Sequence, residues 1–134
     1  MLPTTGQDDL INQLAHFIQR SREKTTGSRE WLVTEQMRVY VRKATHMLGK
    51  RMGITLDIAA VEVEEEYQRK GYWSQFIRKA HKMNPWDATY MECVHSDILL
   101  HWCHRHGWER VNEESFYLLK KEPSLIRKRN YSLF

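Results

Sequence analysis

Partway along the chain the period of its hydrophobic residues changes. From Ile54 to Val63 the sequence is rich in β-branched and small apolar residues, and the run Ile58, Ala59, Ala60, Val61 and Val63 reads as a central strand. After Gly71 the apolar positions are Trp73, Phe76, Ile77 and Ala80, spaced i, i+3, i+4 and i+7 as on one face of a helix, which Asn84 and Pro85 stop. Ala88 to Val94 is again apolar and reads as a buried strand. A switch from strand period to helix period and back places the chain in the α/β class.

The flanks extend this pattern. Leu10, Ile11, Leu14, Phe17 and Ile18 form a helical stripe behind Asp8 and Asp9, a plausible N-cap, and the helix should end near Arg22. The polar stretch from Ser21 to Arg29 suits a loop, and Met37, Val39 and Val41 alternate as in a half-buried strand. Gly49 and Gly53 should bracket a turn. Ser96 or Asp97 can cap a helix with the stripe Leu99, Trp102 and Cys103, ended by Gly107, after which Trp108 to Leu119 looks extended. The expected order is helix, strand, strand, helix, strand, helix, strand. With 134 residues, 41% of them hydrophobic, the chain has the material for a single domain and one core.

Composition narrows the setting. No apolar run approaches the length of about 20 residues that spans a bilayer, and residues 1–10 lack the features of a signal peptide. Two cysteines, Cys93 and Cys103, are too few for a disulfide scaffold, so a reducing, cytoplasmic location is expected, with no membrane partner. The formal charge of +4 is unevenly spread: nine Lys or Arg fall between Arg20 and Arg51, and the tail adds Lys120, Lys121, Arg127, Lys128 and Arg129. Such asymmetry favours an acidic or phosphate-bearing partner, nucleic acid among them, and Arg38, Arg42 and Lys43 are candidates for a docking surface; the plain alternative is a solvated face.

The turn between the central strand and its helix reads Glu65, Glu66, Tyr67, Gln68, Arg69, Lys70, Gly71, Tyr72, Trp73. A glycine at that junction lets backbone approach a ligand, and the new helix aims unpaired N–H groups at it, which suits a phosphate. An ordinary connection has the same look. Four histidines, His95, His101, His104 and His106, lie with the two cysteines in a window of fourteen residues, but without the paired spacing of a zinc site, and no metal is expected. Trp73 and Trp102 fall on apolar helix faces, where core packing is the commoner use than stacking on bases.

These residues resemble the GNAT family of acetyl-CoA-dependent N-acetyltransferases. The family's hallmark is Arg or Gln, two variable residues, Gly, one variable residue, then Gly or Ala; here Gln68, Arg69, Lys70 and Gly71 follow a strand ending in Val63 and an acidic turn. Trp73 stands where a small residue is usual. The strand Tyr90 to Val94, the next helix and the pair Gly107–Trp108 continue the resemblance, which covers roughly residues 54–120, while the N-terminal third is shorter than usual and the closing helix lacks the family's Tyr. The resemblance implies a single GNAT-like domain over residues 1–134, with a mixed central sheet flanked by helices and a shortened N-terminal part.

It also implies acetyl-CoA as co-substrate and direct attack by a primary amine, with the backbone at Val61 and Val63 meeting the pantetheine arm. Gln68, Arg69, Lys70, Gly71, Tyr72, Trp73 and Ser74 would cradle the pyrophosphate, and Ser96 would be a further cofactor-binding residue. For the base, Asp57 stands eleven residues before Gln68, where some members place a catalytic Glu; Glu62 is the rival, on the opposite face by strand alternation. Glu64, Glu65 and Glu66 suit a solvent-facing turn. Cys103, four residues before Gly107 where the family has its Tyr acid, could return the proton or merely fill space. Two other readings stand: a GNAT-fold binding module without catalysis, and a small basic nucleic-acid-binding protein.

Overall fold

A computed structural model describes residues 6–24, 27–92 and 94–120. Thr25, Thr26, Cys93 and the basic residues of the tail beyond Lys120 lie outside the described residues. The elements are α1 (Gly6–Ser21), β1 (Arg29–Val33), β2 (Met37–Leu48), β3 (Arg51–Val63), α2 (Tyr72–Met83), β4 (Ala88–Met91), α3 (Asp97–Arg105), β5 (Glu109–Arg110) and β6 (Phe116–Leu119). The strands form one mixed sheet in the order β1-β2-β3-β4-β6-β5. Only β3 and β4 run parallel, as the intervening α2 crossover requires; the other neighbours are antiparallel.

Several expectations are corrected. The segment 29–33 is a strand, missed because only Leu32 of its five residues is buried and so short an edge shows no alternation. The Trp108–Leu119 stretch is two short strands joined by a loop that a Val111 N–H to Ser115 carbonyl bond of 2.9 Å closes. α1 starts at Gly6, so Asp8 and Asp9 occupy its first turn, where negative charge suits the helix dipole, and neither is the N-cap. The β2–β3 turn is at Gly49 and Lys50, and Gly53 lies within β3. A Cβ there would come within 2.5 Å of Leu48 Cδ1 and 3.2 Å of an Asp87 carboxylate oxygen, so a side chain would displace that of Leu48.

Cross-strand partners share a face, and the register therefore sorts the side chains. Leu32, Val39, Val41, Leu56, Ile58, Met91 and Phe116 all point to one face, where they form a single core with Leu10, Leu14 and Phe17 of α1, Phe76 and Ile77 of α2, and Cys103 of α3. Trp108 joins this core, and Trp73 and Trp102 pack partly buried against it. The opposite face carries Arg38, Tyr40, Arg42 and His46 of β2, Asp57 and Glu62 of β3, Tyr90 of β4 and Tyr117 of β6.

Alternation puts Lys43 on the core face, 4% exposed. Its ammonium donates to the carbonyls of Ser21 (2.8 Å), Arg22 (3.3 Å) and Lys24 (2.6 Å) at the end of α1 and sits 5.1 Å from the Trp86 ring centroid. A buried cation is tolerated here because it meets the negative end of the helix and its unpaired carbonyls. Lys43 is thus a helix anchor and no docking residue. Lys43→Met should lower the unfolding free energy by about 2 kcal/mol, read as a lower urea midpoint with an unchanged slope.

A half-buried histidine makes stability depend on pH. Asn84 Nδ2 donates to Thr89 Oγ1 at 2.9 Å, so the Thr89 hydroxyl proton is free to go to His81 Nδ1, 2.8 Å away, which must then be the unprotonated nitrogen. Burial first, and then the charge of Lys120, lower the His81 pKa from 6.5 to about 4. A depressed folded-state pKa means that the unfolded chain binds the proton more readily. Stability should therefore be full above pH 6.5 and fall as the pH drops toward 4, and His81→Gln should flatten that slope in urea titrations.

Candidate active site: the parting of two central strands

The pairing of β3 with β4 ends early. It runs from Thr55↔Ala88 to Ile58↔Met91, and the Glu92 N–H makes a further bond to the Ile58 carbonyl at 3.2 Å. Beyond that, Val94 N–H turns to the Glu114 carbonyl at 3.0 Å, on the β6 side, while β3 continues to Val63 beside β2. The two strands therefore part at Ile58 and Glu92 and leave a slot along the edge of β3 that contains Val61 and Val63, both half-buried. At the same point β3 bulges: Tyr40 pairs with Ala60 and Val41 with Ile58, which leaves Ala59 unpaired. A bulge bends and twists its strand, which draws β3 away from β4.

The turn that follows completes one end of the slot. Glu65–Tyr67 form a 3-10 turn, then Arg69 (φ 62°) and Gly71 (φ 82°) both take the left-handed conformation. Such a conformation is strained for Arg69, and strain of this kind gathers at functional sites. Gln68 Nε2 donates to the Val63 carbonyl at 2.9 Å and pins the turn to the end of β3. Gln75 N–H makes its bond to the Gly71 carbonyl (3.0 Å), so the N–H groups of 72–74 precede the first full intrahelical bond and project from the end of α2, with Ser74 Oγ 3.2 Å from the same carbonyl. Arg69 and Lys70 are exposed beside this end, as are Glu64, Glu65 and Glu66. Trp73 is half-buried, and its indole N–H is buried with no acceptor among the described residues. Across the slot, Ser96 caps α3 by accepting from the Leu99 N–H at 3.1 Å.

On the polar face, one residue from the point of parting, four side chains converge. Asp57 is wholly buried. Its Oδ1 accepts from Thr55 Oγ1 at 2.5 Å, and its Oδ2 lies 3.2 Å from Arg42 Nε and 2.7 Å from His46 Nε2, which must carry the proton. Arg42 also pairs with Glu92, and the His46 ring stacks on Tyr90 with centroids 3.7 Å apart. Burial would lower the Arg42 pKa, but the charges of Glu92 and Asp57 outweigh it and hold the guanidinium above its ordinary value. Glu92 is raised, by burial first and then by its hydrogen bond with Asp57, against the opposing pull of Arg42. His46, Asp57 and Glu92 offer donor atoms within 4.8 Å of one another, a spacing compatible with a cation. Arg42 already spans both carboxylates, however, and supplies the positive charge a metal would bring.

Glu62 lies on the same face as Asp57, because the bulge at Ala59 shifts the alternation that put it opposite; it is exposed and pairs with Arg38 at 3.4 Å. Cys103 is wholly buried in the core, and burial pushes its thiol up to about 12. His101 and His104 are exposed and line a concavity of about 730 Å³ with Leu100, Trp108, Arg110 and Phe116, which shares no residue with the slot or the polar cluster. His106 packs its ring on Trp102 (4.4 Å) and bonds the Trp102 carbonyl at 2.8 Å. His46 and Glu92 were not among the sequence candidates, and Arg42 was read only as part of a docking surface. The available signal was Asp57 itself, since a carboxylate inside an apolar strand needs cationic or hydrogen-bonding neighbours on the adjoining strands.

No family model and no curated protein matches the sequence. Solved structures do match the fold. A mutant of the AtaT toxin bound to the C-terminus of the AtaR antitoxin and acetyl-CoA superposes with a TM-score of 0.54 at 10% identity, over 92% of this chain and 87% of that one. A KacTA–DNA complex gives 0.52 at 10% identity over 96% and 91%, and AtaT complexed with acetyl-methionyl-tRNAfMet gives 0.53 at 9% over 86% and 83%. The likeness covers most of the chain on both sides, and the fold is GNAT-like.

Proposed function

We propose that this chain is an N-acetyltransferase that moves an acetyl group from acetyl-CoA to a primary amine. The observation that carries the reading is the parting of β3 from β4 beside a left-handed turn at the start of α2. A slot of this kind offers strand-edge backbone groups to the amide-bearing pantetheine arm. The end of α2 offers N–H groups and, with Arg69 and Lys70, positive charge to a pyrophosphate. Val61, Val63, Gln68–Ser74 and Ser96 are the residues proposed for the cofactor. The fold neighbours bound to acetyl-CoA support the choice of cofactor.

The carboxylates beside the slot, Asp57 and Glu62 as read from the sequence and Glu92 as placed by the fold, supply candidates for the base. Proton return to the departing thiolate falls to water in this reading. A thiol at about 12 is a weaker acid than an ordinary thiol near 8.5, so donation from Cys103 to another thiolate runs uphill. Trp73, standing where a small residue is usual in the family, and the absence of a Tyr on α3 favour a second reading, a binding module that takes acetyl-CoA without turning it over. Small amines, protein amines and aminoacyl-tRNA all remain acceptor classes; AtaT with acetyl-methionyl-tRNA is the neighbour that brings the last of these forward.

Calorimetric titration should detect acetyl-CoA binding with a Kd below about 1 mM. Gly71→Glu should abolish it with the far-UV circular dichroism retained, whereas Gly71→Asn, which tolerates the left-handed conformation, should keep it. Mass spectrometry of amine mixtures incubated with acetyl-CoA then separates enzyme from binder. No heat at millimolar ligand would sink both readings. For Cys103→Ala, turnover should stay within about twofold of wild type, and a tenfold loss at unchanged acetyl-CoA affinity would restore the thiol as an acid.

A further inference from the structure

We infer that Glu92 takes the proton from the acceptor amine, and that Asp57, beside it, positions Glu92 through the Arg42 they share without meeting the amine itself. The inference rests on the acetyltransferase reading above and assigns its base. Asp57 has no exposed surface, and both of its oxygens are engaged, by Thr55 on one side and by Arg42 and His46 on the other. An incoming amine reaches it only by breaking that network. Glu92 is placed differently. Its backbone N–H makes the last bond between the central strands, its side chain is 27% exposed, and it leans back over Arg42. The groups that face it are Arg42 and His46 from β2, Asp57 from β3 and Tyr90 from its own strand.

Charge and geometry agree on the role. Two carboxylates against one guanidinium leave the cluster negative when His46 is neutral, which draws a cationic ammonium toward the end of the slot. A carboxylate partly withdrawn from water and raised in pKa is a better base near neutrality than an ordinary surface Glu. The ammonium R–NH3+ gives one proton to the Glu92 carboxylate, and the freed nitrogen pair forms the C–N bond at the thioester carbonyl. The C–S bond breaks with its electron pair going to sulfur, and a second nitrogen proton passes through water to the thiolate, yielding the amide and the free thiol. Glu92 then returns to the carboxylate by releasing its proton to solvent past His46, whose Nε2 lies 3.8 Å from Glu92 Oε1 and whose side chain is 24% exposed.

The test measures thiol release from acetyl-CoA with four probe amines: a short peptide with a free α-amine, Nα-acetyl-lysine amide, spermidine and an aminoacyl-tRNA. Glu92→Gln should lower kcat/KM by about 100-fold at neutral pH, with the acetyl-CoA Kd unchanged, and should recover activity as rising pH deprotonates the amine without help. Glu92→Asp should lose about tenfold but keep the wild-type acidic limb, which keeps the inference testable if the Gln variant misfolds. Asp57→Asn should lower kcat and shift that limb without erasing it. Activity of Glu92→Gln within twofold of wild type, with loss confined to Asp57→Asn, overturns the inference and leaves the acetyltransferase reading intact. Wild-type protein that binds acetyl-CoA and acetylates none of the four amines overturns both.

Discussion

The unpaired Ala59 in β3 is the constraint on which the rest of the site depends. With it, Tyr40 faces Ala60 and Val41 faces Ile58, so the strand turns away from β4 just where the parallel pairing stops. The same extra residue reverses the parity of everything downstream. Val61 and Val63 are brought onto the core face, Glu62 joins Asp57 on the polar face, and the edge of β3 is left for a ligand to use. One inserted residue thus supplies the proposed cofactor slot and the acidic side of the site together.

The two faces of the sheet solve different problems. On the core face all three helices share one apolar cluster; the charge that alternation buries there, Lys43, is neutralised by the carbonyl end of α1, and Glu30 on the same face pairs with Arg20 of α1. On the polar face Arg42 is held by Asp57 and Glu92, and Arg38 by Glu62 and by the Trp31 ring 4.5 Å away. A basic stretch that in sequence suggested one docking surface is therefore divided between helix anchoring and an ion-paired site. The net positive charge of the chain says little about those particular residues.

Much of the scaffold was legible in the sequence. The helix from Trp73 to Ala80, its stop at Asn84–Pro85, the cap at Ser96, the glycine after α3 and the alternating Met37, Val39 and Val41 each have a local cause, and each appears in place. What was not legible depends on pairing. β1 and β5 are edge strands of five and two residues, held by neighbours more than by their own pattern. The bulge cannot be read from a run of alanines, so Glu62 was placed on the wrong face. The cluster of Arg42, His46, Asp57 and Glu92 draws on three strands, and only the register of the folded sheet brings its members together.

The central claim is that the parted strands and the turn before α2 form the site for acetyl-CoA. It is tested most directly by following backbone amide resonances of isotope-labelled protein during titration with acetyl-CoA. The account predicts the large shifts at Val61 and Val63, through Gln68–Ser74 and at Ser96, with residues around His101 and Arg110 unmoved. Shifts confined to the concavity between α3 and β5–β6, or an unchanged spectrum at millimolar ligand, would contradict it.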